Sequence, residues 1–187
     1  MVTIEINKHQ YKVPTLRNEV TVEQYLAIEQ HAETLDEIRL LSILTGIDYD
    51  SLSNLPCGDF GVLVMPELTW VGNLFEVTTA RRQTKIKIGK YTVETIIDVM
   101  GERLGQKLMM QRMVNDAIKN NAKYSTLIAP VLACYYAPHL HPEKKFSESH
   151  VKEVEQLILK MPVEQAYPEA NFFLRGYLKP LKLKRKR

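Results

Sequence analysis

The segment from Tyr124 to Tyr136 is apolar almost all the way round when its residues are placed at helical spacing. A helix of this kind has no face to offer to water, so other parts of the chain have to enclose it. We therefore predict that it is the most buried helix of the fold. The uncharged stretch that contains it, Thr126 to Pro138, is too short to cross a bilayer, so we expect a soluble protein with no membrane partner.

The chain is long enough to build a core around such a helix. It has 187 residues, of which 45% are hydrophobic and 25% are charged, as is typical of a packed globular domain. At this length roughly 70% of the surface of the unfolded chain leaves water on folding, so stability requires neither a disulfide nor a metal. Cys57 and Cys134 lie far apart and outside any CxxC motif, and we expect both to be free thiols in a reducing compartment.

Two stretches alternate apolar and polar residues around a polar turn: TIEINKHQYKV at residues 3–13 and TKIKIGKYTV at residues 84–93. Each pattern predicts a β-hairpin. The likeness between them indicates either a duplication or two hairpins that pair into one small sheet, since an isolated hairpin is only marginally stable.

Elsewhere the apolar residues recur at helical spacing and predict several helices. Thr21, Thr34 and Ser149 are the expected N-caps, and Gly46 suits the left-handed position that ends a helix. A last helix after Pro162 is expected to turn inward Ala166, Ala170, Phe173, Leu174 and Tyr177.

The helix expected within Thr95 to Asn120 is rich in methionine. Its predicted inward face includes Leu104, Leu108, Met109, Met113, Val114 and Ile118. Met110 falls off this face, and an exposed apolar contact at Met110 is a hypothesis beside the more ordinary core role of methionine.

These patterns together predict a mainly α fold with a small antiparallel β element made of two β-hairpins, that is, a compact α+β helical domain. We expect one domain over residues 1–178 and a basic C-terminal tail over residues 179–187. Residues 1–80 and 81–178 are the candidate halves of an internal pseudo-repeat.

Charge divides the chain at the same place. Residues 1–80 contain 4 Lys or Arg and 12 Asp or Glu, a net charge of −8, whereas residues 81–187 contain 21 and 10, a net charge of +11. Such asymmetry favours a partner surface of opposite charge or head-to-tail contact between copies. The alternative is that the two halves pack together and neutralise each other locally.

The strongest basic run is at the C-terminus, where six of the last nine residues are Lys or Arg. It can contact nucleic acid through phosphates without base specificity, dock on an acidic protein surface, or remain a solvated tail. The candidate residues for contact with a partner or with nonspecifically bound DNA are Lys179, Lys182, Lys184, Arg185, Lys186 and Arg187 in the tail, together with Arg81 and Arg82.

Motifs for catalysis or cofactor binding are missing from the sequence. The stretch Gly58 to Gly61 lacks the length and the lysine of a phosphate-binding loop, and Cys134 is expected to be an inert buried thiol. His139, His141 and Glu143 offer metal-binding side chains, but a solvated loop is the better interpretation because a third fixed ligand is lacking. We therefore predict no enzyme activity, no cofactor and no metal.

Four segments resemble small proteins encoded in the structural and assembly gene clusters of tailed bacteriophages. The first two are TVEQYLAIEQ at residues 21–30 and DEIRLLSILTGIDYDSLSNLP at residues 36–56. The others are TLIAPVLACYYAP at residues 126–138 and LILKMPVEQAYPEANFFLRGYL at residues 157–178. The likeness consists of packing motifs and includes neither a catalytic residue nor the basic tail.

The resemblance implies a virion structural protein of the ring, neck or tail, or a tail assembly chaperone that leaves the particle. It implies other phage structural proteins as partners, a homo-oligomer within an assembly, and a location in the virion or the host cytoplasm. Nonspecific contact with DNA through the basic tail is the alternative function.

Overall fold

The computed structural model describes residues 1–6, 9–55, 80–95 and 103–184. The strands are β1 Val2–Ile6, β2 His9–Val13, β3 Lys85–Ile88 and β4 Tyr91–Glu94. The helices are α1 Val22–Gln30, α2 Glu37–Thr45, α3 Tyr49–Ser53, α4 Leu104–Lys119, α5 Ile128–Leu140, α6 Glu148–Leu159 and α7 Val163–Lys184. The fold is mainly α with two small antiparallel sheets, which confirms the predicted fold class.

Helix α5 is buried along almost its whole length, as its composition predicts. All of its residues except Pro130, Pro138 and His139 are buried, and Cys134 is among them. It packs against α4, α6 and α7, and β4 also contacts it. Because these elements surround it, α5 is the centre of the core. Each large apolar side chain buried in this way stabilises the fold by about 1.5–3 kcal/mol. Within the described ranges, none of the helices has both the length and the hydropathy that a membrane span requires.

The two hairpins share one pattern of cross-strand pairs. In each, an Ile faces a Tyr, and the residue two positions before that Ile faces a Val. The pairs are Ile4 with Tyr11 and Val2 with Val13 in the first hairpin, and Ile88 with Tyr91 and Ile86 with Val93 in the second. Their similar sequences therefore form the same kinds of cross-strand pairs. The first hairpin, however, has two further pairs between these and its turn, Glu5 with Gln10 and Ile6 with His9.

The hairpins do not form one sheet. Among the described residues they are separate two-stranded sheets, so the alternative in which they pair into one sheet is wrong. Each is supported by helices instead: β2 contacts α2, and β4 contacts α5. Packing on a helix gives a hairpin the apolar contacts that a third strand would otherwise supply.

An isolated antiparallel β-bridge between Thr21 and Pro162, which we name the backbone joint, connects the two halves of the chain. The N–H of Val22 donates to the carbonyl of Met161 at 2.9 Å, and the N–H of Val163 donates to the carbonyl of Val20 at 2.8 Å. Helices α1 and α7 both begin at this joint, which therefore fixes their first turns relative to each other.

Two of the expected helix ends are confirmed. The hydroxyl of Thr21 accepts from the N–H of Gln24 at 3.2 Å, and the side chain of Gln24 accepts from the N–H of Thr21 at 2.9 Å. Gly46 ends α2 with φ of 77°, a left-handed conformation that glycine adopts without steric cost.

Two other expected caps are wrong by two residues. Helix α2 is capped by Asp36 rather than Thr34, and α6 by Ser147 rather than Ser149. In both regions several residues with side-chain oxygens stand close together, so the sequence offers neighbouring caps that tertiary packing has to choose between.

Helix α4 turns only part of its predicted face inward: Val114 is buried, and Met109 and Met113 pack against the core. Its buried residues are Gln106, Met110 and Val114, so the hypothesis of an exposed Met110 is wrong. The side-chain amide of Gln106 donates to the carbonyl of Cys134 at 3.2 Å, which satisfies a polar group inside the core. The exposed large apolar residues of this helix are Leu104, Leu108 and Ile118. Periodicity could not choose between the faces, because apolar residues stand on both.

Candidate interaction surfaces

The eight basic residues proposed for partner contact occupy different environments. Arg81 is exposed just before β3. Lys179, Lys182 and Lys184 belong to the last turns of α7, so this helix extends into the basic C-terminal tail. Arg185, Lys186 and Arg187 lie outside the described residues.

Arg82, the remaining candidate, is part of an internal cluster. Its guanidinium is bonded to both carboxylate oxygens of Glu169, with Nη2 at 2.6 Å from Oε1. The hydroxyl of Tyr136 donates to the same Oε1 at 2.5 Å, and the guanidinium stacks 3.7 Å from the ring centroid of Phe172. This cluster ties the segment before β3 to α7 and α5.

The carboxylate of Glu169 determines the electrostatics of this cluster. Glu169 is fully buried, whereas the side chain of Arg82 is 22% exposed. Burial by itself lowers the pKa of Arg82, but the hydrogen bonds and charge of Glu169 raise that pKa overall. The guanidinium of Arg82 is therefore held charged, and the geometry of the pair gives it a positioning role in the fold.

Sequence reasoning missed Glu169, although a signal was present. Glu169 falls within the inward stripe predicted for the last helix, three residues after Ala166 and four before Phe173. A single carboxylate among apolar positions requires an internal partner, because an unpaired buried charge is costly. Only the folded structure identifies Arg82 as that partner.

An acidic surface lies on α2, α3 and the segment before α2. We name Glu33, Asp36, Glu37, Asp48 and Asp50 the acidic corner; all five are exposed. Within the described ranges, none of these carboxylates forms an ion pair. Their negative charges therefore remain at the surface.

A basic surface lies on the second hairpin. We name Arg81, Lys85, Lys87 and Lys90 the basic hairpin; all four are exposed. Strand alternation places Ile86 and Ile88 in the core, so the lysines between and before them face outward. Lys87 also lines a cavity of about 240 Å³ together with Lys160.

Within the part of the chain that the structure describes, contact between the two halves neutralises few of these charges. Lys160 pairs with Glu23, and Arg17 pairs with Glu164 at 3.1 Å. Only the first of these pairs joins an acidic residue of the first half to a basic residue of the second. The acidic corner and the basic hairpin take part in neither pair; Lys85 of the basic hairpin pairs instead with Glu94 of its own half, at 3.8 Å.

A second internal cluster joins two histidines beside β4. The rings of His141 and His150 are 5.2 Å apart between centroids, and Tyr91 packs edge-on against His141 at 5.5 Å. His150 is only 4% exposed, and both of its ring nitrogens lack a hydrogen-bond partner within the described part of the chain. Burial, followed by the charge of Lys144 and by His141, lowers the pKa of His150.

The surroundings of His141 differ from the solvated loop expected there. Helix α5 continues through Pro138 to Leu140, so His139 is an exposed helical residue. His141 follows the helix and lines a cavity of about 430 Å³ with Tyr91 and Glu153. Its Nδ1 lies 3.4 Å from a carboxylate oxygen of Glu143. Across the described ranges, no three metal-ligating side chains are grouped closely enough to hold an ion.

No family model, curated protein or solved structure matches this chain.

Removing one partner of the Arg82–Glu169 ion pair is expected to destabilise the fold strongly, because the other charge is left without a counter-ion. Glu169→Gln removes the charge while keeping the shape, and it should lower the free energy of unfolding by roughly 3 kcal/mol because a partly buried guanidinium loses its counter-ion. Tyr136→Phe should cost about 1–2 kcal/mol, since one hydrogen bond to a charged group is lost.

Chemical denaturation of the three proteins measures both values. The control is the double variant Arg82→Met with Glu169→Met, which leaves no unpaired charge and should lose less stability than Glu169→Gln alone. If Glu169→Gln unfolds at the same denaturant concentration as the parent, the ion pair does not anchor the hairpin to the helices.

The histidine cluster should make stability fall in mild acid. Because the pKa of His150 is lowered in the folded state, the unfolded chain binds a proton more readily as the pH falls below the ordinary histidine value of 6.5. The contribution of neutral His150 to the free energy of unfolding is therefore fully present above that pH. It is lost as the pH falls towards the folded-state pKa. Besides Lys144 and His141, the groups that face His150 are Glu153 and Glu143, whose charges oppose this effect.

Thermal melting at a series of pH values measures how steeply stability changes with pH. His150→Leu should reduce the loss of stability between pH 6.5 and pH 5, roughly the range in which a histidine titrates. His139→Leu, at an exposed position near the end of α5, is the matched control and should keep the slope of the parent protein. Equal slopes in the parent and in His150→Leu would show that His150 does not cause the loss of stability in mild acid.

Proposed function

We propose that this chain is a non-enzymatic structural or assembly protein of a tailed bacteriophage that acts through contacts between its own copies and with other phage structural proteins. A ring, neck or tail component is the role we favour. The resemblance of four segments to such proteins motivates the proposal, and surface charge is the observation that carries it.

The acidic corner and the basic hairpin are both exposed, and the ion pairs that join the two halves among the described residues involve neither. Like charges gathered on one surface repel each other, and an oppositely charged surface relieves that repulsion. A protein with two complementary surfaces can associate head to tail, and such a contact forms a ring when the rotation between copies closes. Charge complementarity also favours one register over others.

Assembly by this contact should depend on salt and on the sign of both surfaces. The parent protein should form oligomers at low ionic strength and dissociate near 1 M salt, where charges are screened beyond about 3 Å. Glu33→Lys with Glu37→Lys reverses part of the acidic corner, and Lys85→Glu with Lys87→Glu reverses part of the basic hairpin. Each double variant should remain monomeric alone, whereas an equimolar mixture of the two should assemble.

Light scattering of the separate and mixed variants measures the effect. The control, Glu5→Lys with Asp116→Lys, changes the net charge as much as the acidic-corner variant does and should still assemble. A mixture that stays monomeric would contradict the proposed contact. Mass spectrometry of intact particles then distinguishes a retained component from an assembly chaperone, which should be absent from them.

Nonspecific DNA contact is the second candidate function. It is favoured by helix α7, which extends to Lys184 and so carries three of the six basic tail residues on a helix. Basic residues that neutralise phosphates release counterions, so this binding must weaken steeply as salt rises.

Deletion of residues 179–187 distinguishes the two functions. The truncated protein should lose DNA binding if the tail contacts phosphates, while self-association through the two charged surfaces should persist. Fluorescence anisotropy of a labelled duplex at several salt concentrations measures the binding. A flat response to salt would exclude phosphate contact as its basis.

A further inference from the structure

The exposed apolar side chains of α4 fall on one stripe. Leu104, Leu108 and Ile118 are 72%, 53% and 45% exposed. Together with the exposed residues Gln111 and Asn115 they follow the spacing 4, 3, 4, 3, which is the a/d spacing of a coiled-coil seam. At 1.5 Å per residue the stripe is about 21 Å long. We name these five residues the outer face of α4.

Basic residues flank the outer face. Lys107 lies on one side of it, and Arg112 and Lys119 lie on the other, at the positions that border a coiled-coil seam. All three are exposed. Arg112 reaches Glu148 at 3.4 Å, but both side chains are 70% exposed, so water screens this pair strongly.

We propose that the outer face of α4 docks an amphipathic helix with acidic flanks from a partner protein. The inference rests on the proposed function, of which it specifies one contact. Leucine and isoleucine would supply the apolar anchors of the interface, and the flanking cations would pair with the acidic residues of the incoming helix. Gln111 and Asn115 would fix its register, as polar residues in a seam do.

The flanking charges argue against a second copy of this helix as the occupant. Pairing α4 with itself would bring the rows of Lys107, Arg112 and Lys119 together, and like charges oppose association. The other exposed large apolar residues of the described ranges are Met1, Val2 and Leu16, which belong to no α-helix. The acidic corner therefore supplies charge but no exposed apolar stripe.

The polar centre of the outer face argues against a membrane. A lipid surface would bury Gln111 and Asn115 against acyl chains, which offer no hydrogen bond to an amide. A facing helix can place a polar side chain opposite each amide. The same apolar and basic residues therefore suit a protein helix better than a bilayer.

A designed peptide tests the proposal directly. The probe is a labelled helix of three heptads with Leu at its seam positions and Glu at the flanking positions, and the matched peptide carries Lys in place of Glu. Both are titrated with the full chain in fluorescence anisotropy. Vesicles of phosphatidylglycerol and phosphatidylcholine are tested separately by sedimentation.

We expect the Glu peptide to bind and the Lys peptide to bind at least roughly tenfold more weakly, as for the loss of an interface hot spot. Leu108→Glu should weaken binding of the Glu peptide by a similar factor, whereas Leu16→Glu, at a similarly exposed position outside the helix, should not. Lys107→Glu with Arg112→Glu and Lys119→Glu should invert the preference between the peptides. These changes are all at exposed positions, so folding should be preserved.

Three results would overturn the proposal: equal binding of the Glu peptide by the parent and by Leu108→Glu, binding to vesicles but not to the peptide, or self-association that Leu108→Glu abolishes. The charge-swap experiment on the acidic corner and the basic hairpin uses other residues. If the peptide fails to bind while the mixed charge variants still assemble, this inference fails and the proposed function stands. If the mixed variants fail and the peptide binds with the expected preference, the proposed head-to-tail contact fails and the α4 contact stands.

Discussion

Helix α5 places the strictest demand on the rest of the molecule, because nearly every one of its side chains has to be kept from water. Helices α4, α6 and α7 and strand β4 meet that demand together. Their positions then determine which surfaces remain exposed. Once α4 is rotated so that Gln106 bonds to α5 and Met110 enters the core, Leu104 and Leu108 have to face outward. An apolar outer face is thus a consequence of how the core is filled.

Polar contacts hold this arrangement at a few defined places. The backbone joint between residues 20–22 and 161–163 sets α1 against α7. The buried carboxylate of Glu169 fixes the segment before β3 through Arg82 and reaches α5 through Tyr136. Directional bonds of this kind specify one arrangement among many that an apolar core alone would allow. They also keep Arg82 engaged inside the molecule while Arg81, its neighbour in sequence, is exposed.

The distribution of charge connects the fold to the proposed function. Residues 33–50 and residues 81–90 belong to different structural elements, and the ion pairs between the two halves leave their charges at the surface. Surfaces of this kind act over a distance set by the ionic strength, whereas the outer face of α4 needs direct contact. In the proposed function, long-range attraction between the charged surfaces would precede close packing on the outer face of α4.

Local sequence patterns predicted the mainly α class, the two hairpins with their shared pattern, the all-round burial of α5 and the charge of each half. These properties depend on the spacing of residues that are close along the chain, which local sequence records directly. Packing between distant segments selected which residues of α4 enter the core, placed the hairpins on helices instead of on each other, and brought Glu169 to Arg82. Each of these depends on which distant segments meet, and Arg82 and Glu169 are 87 residues apart. Spacing along the chain cannot encode such a choice, because several faces and several charged partners satisfy the same local pattern.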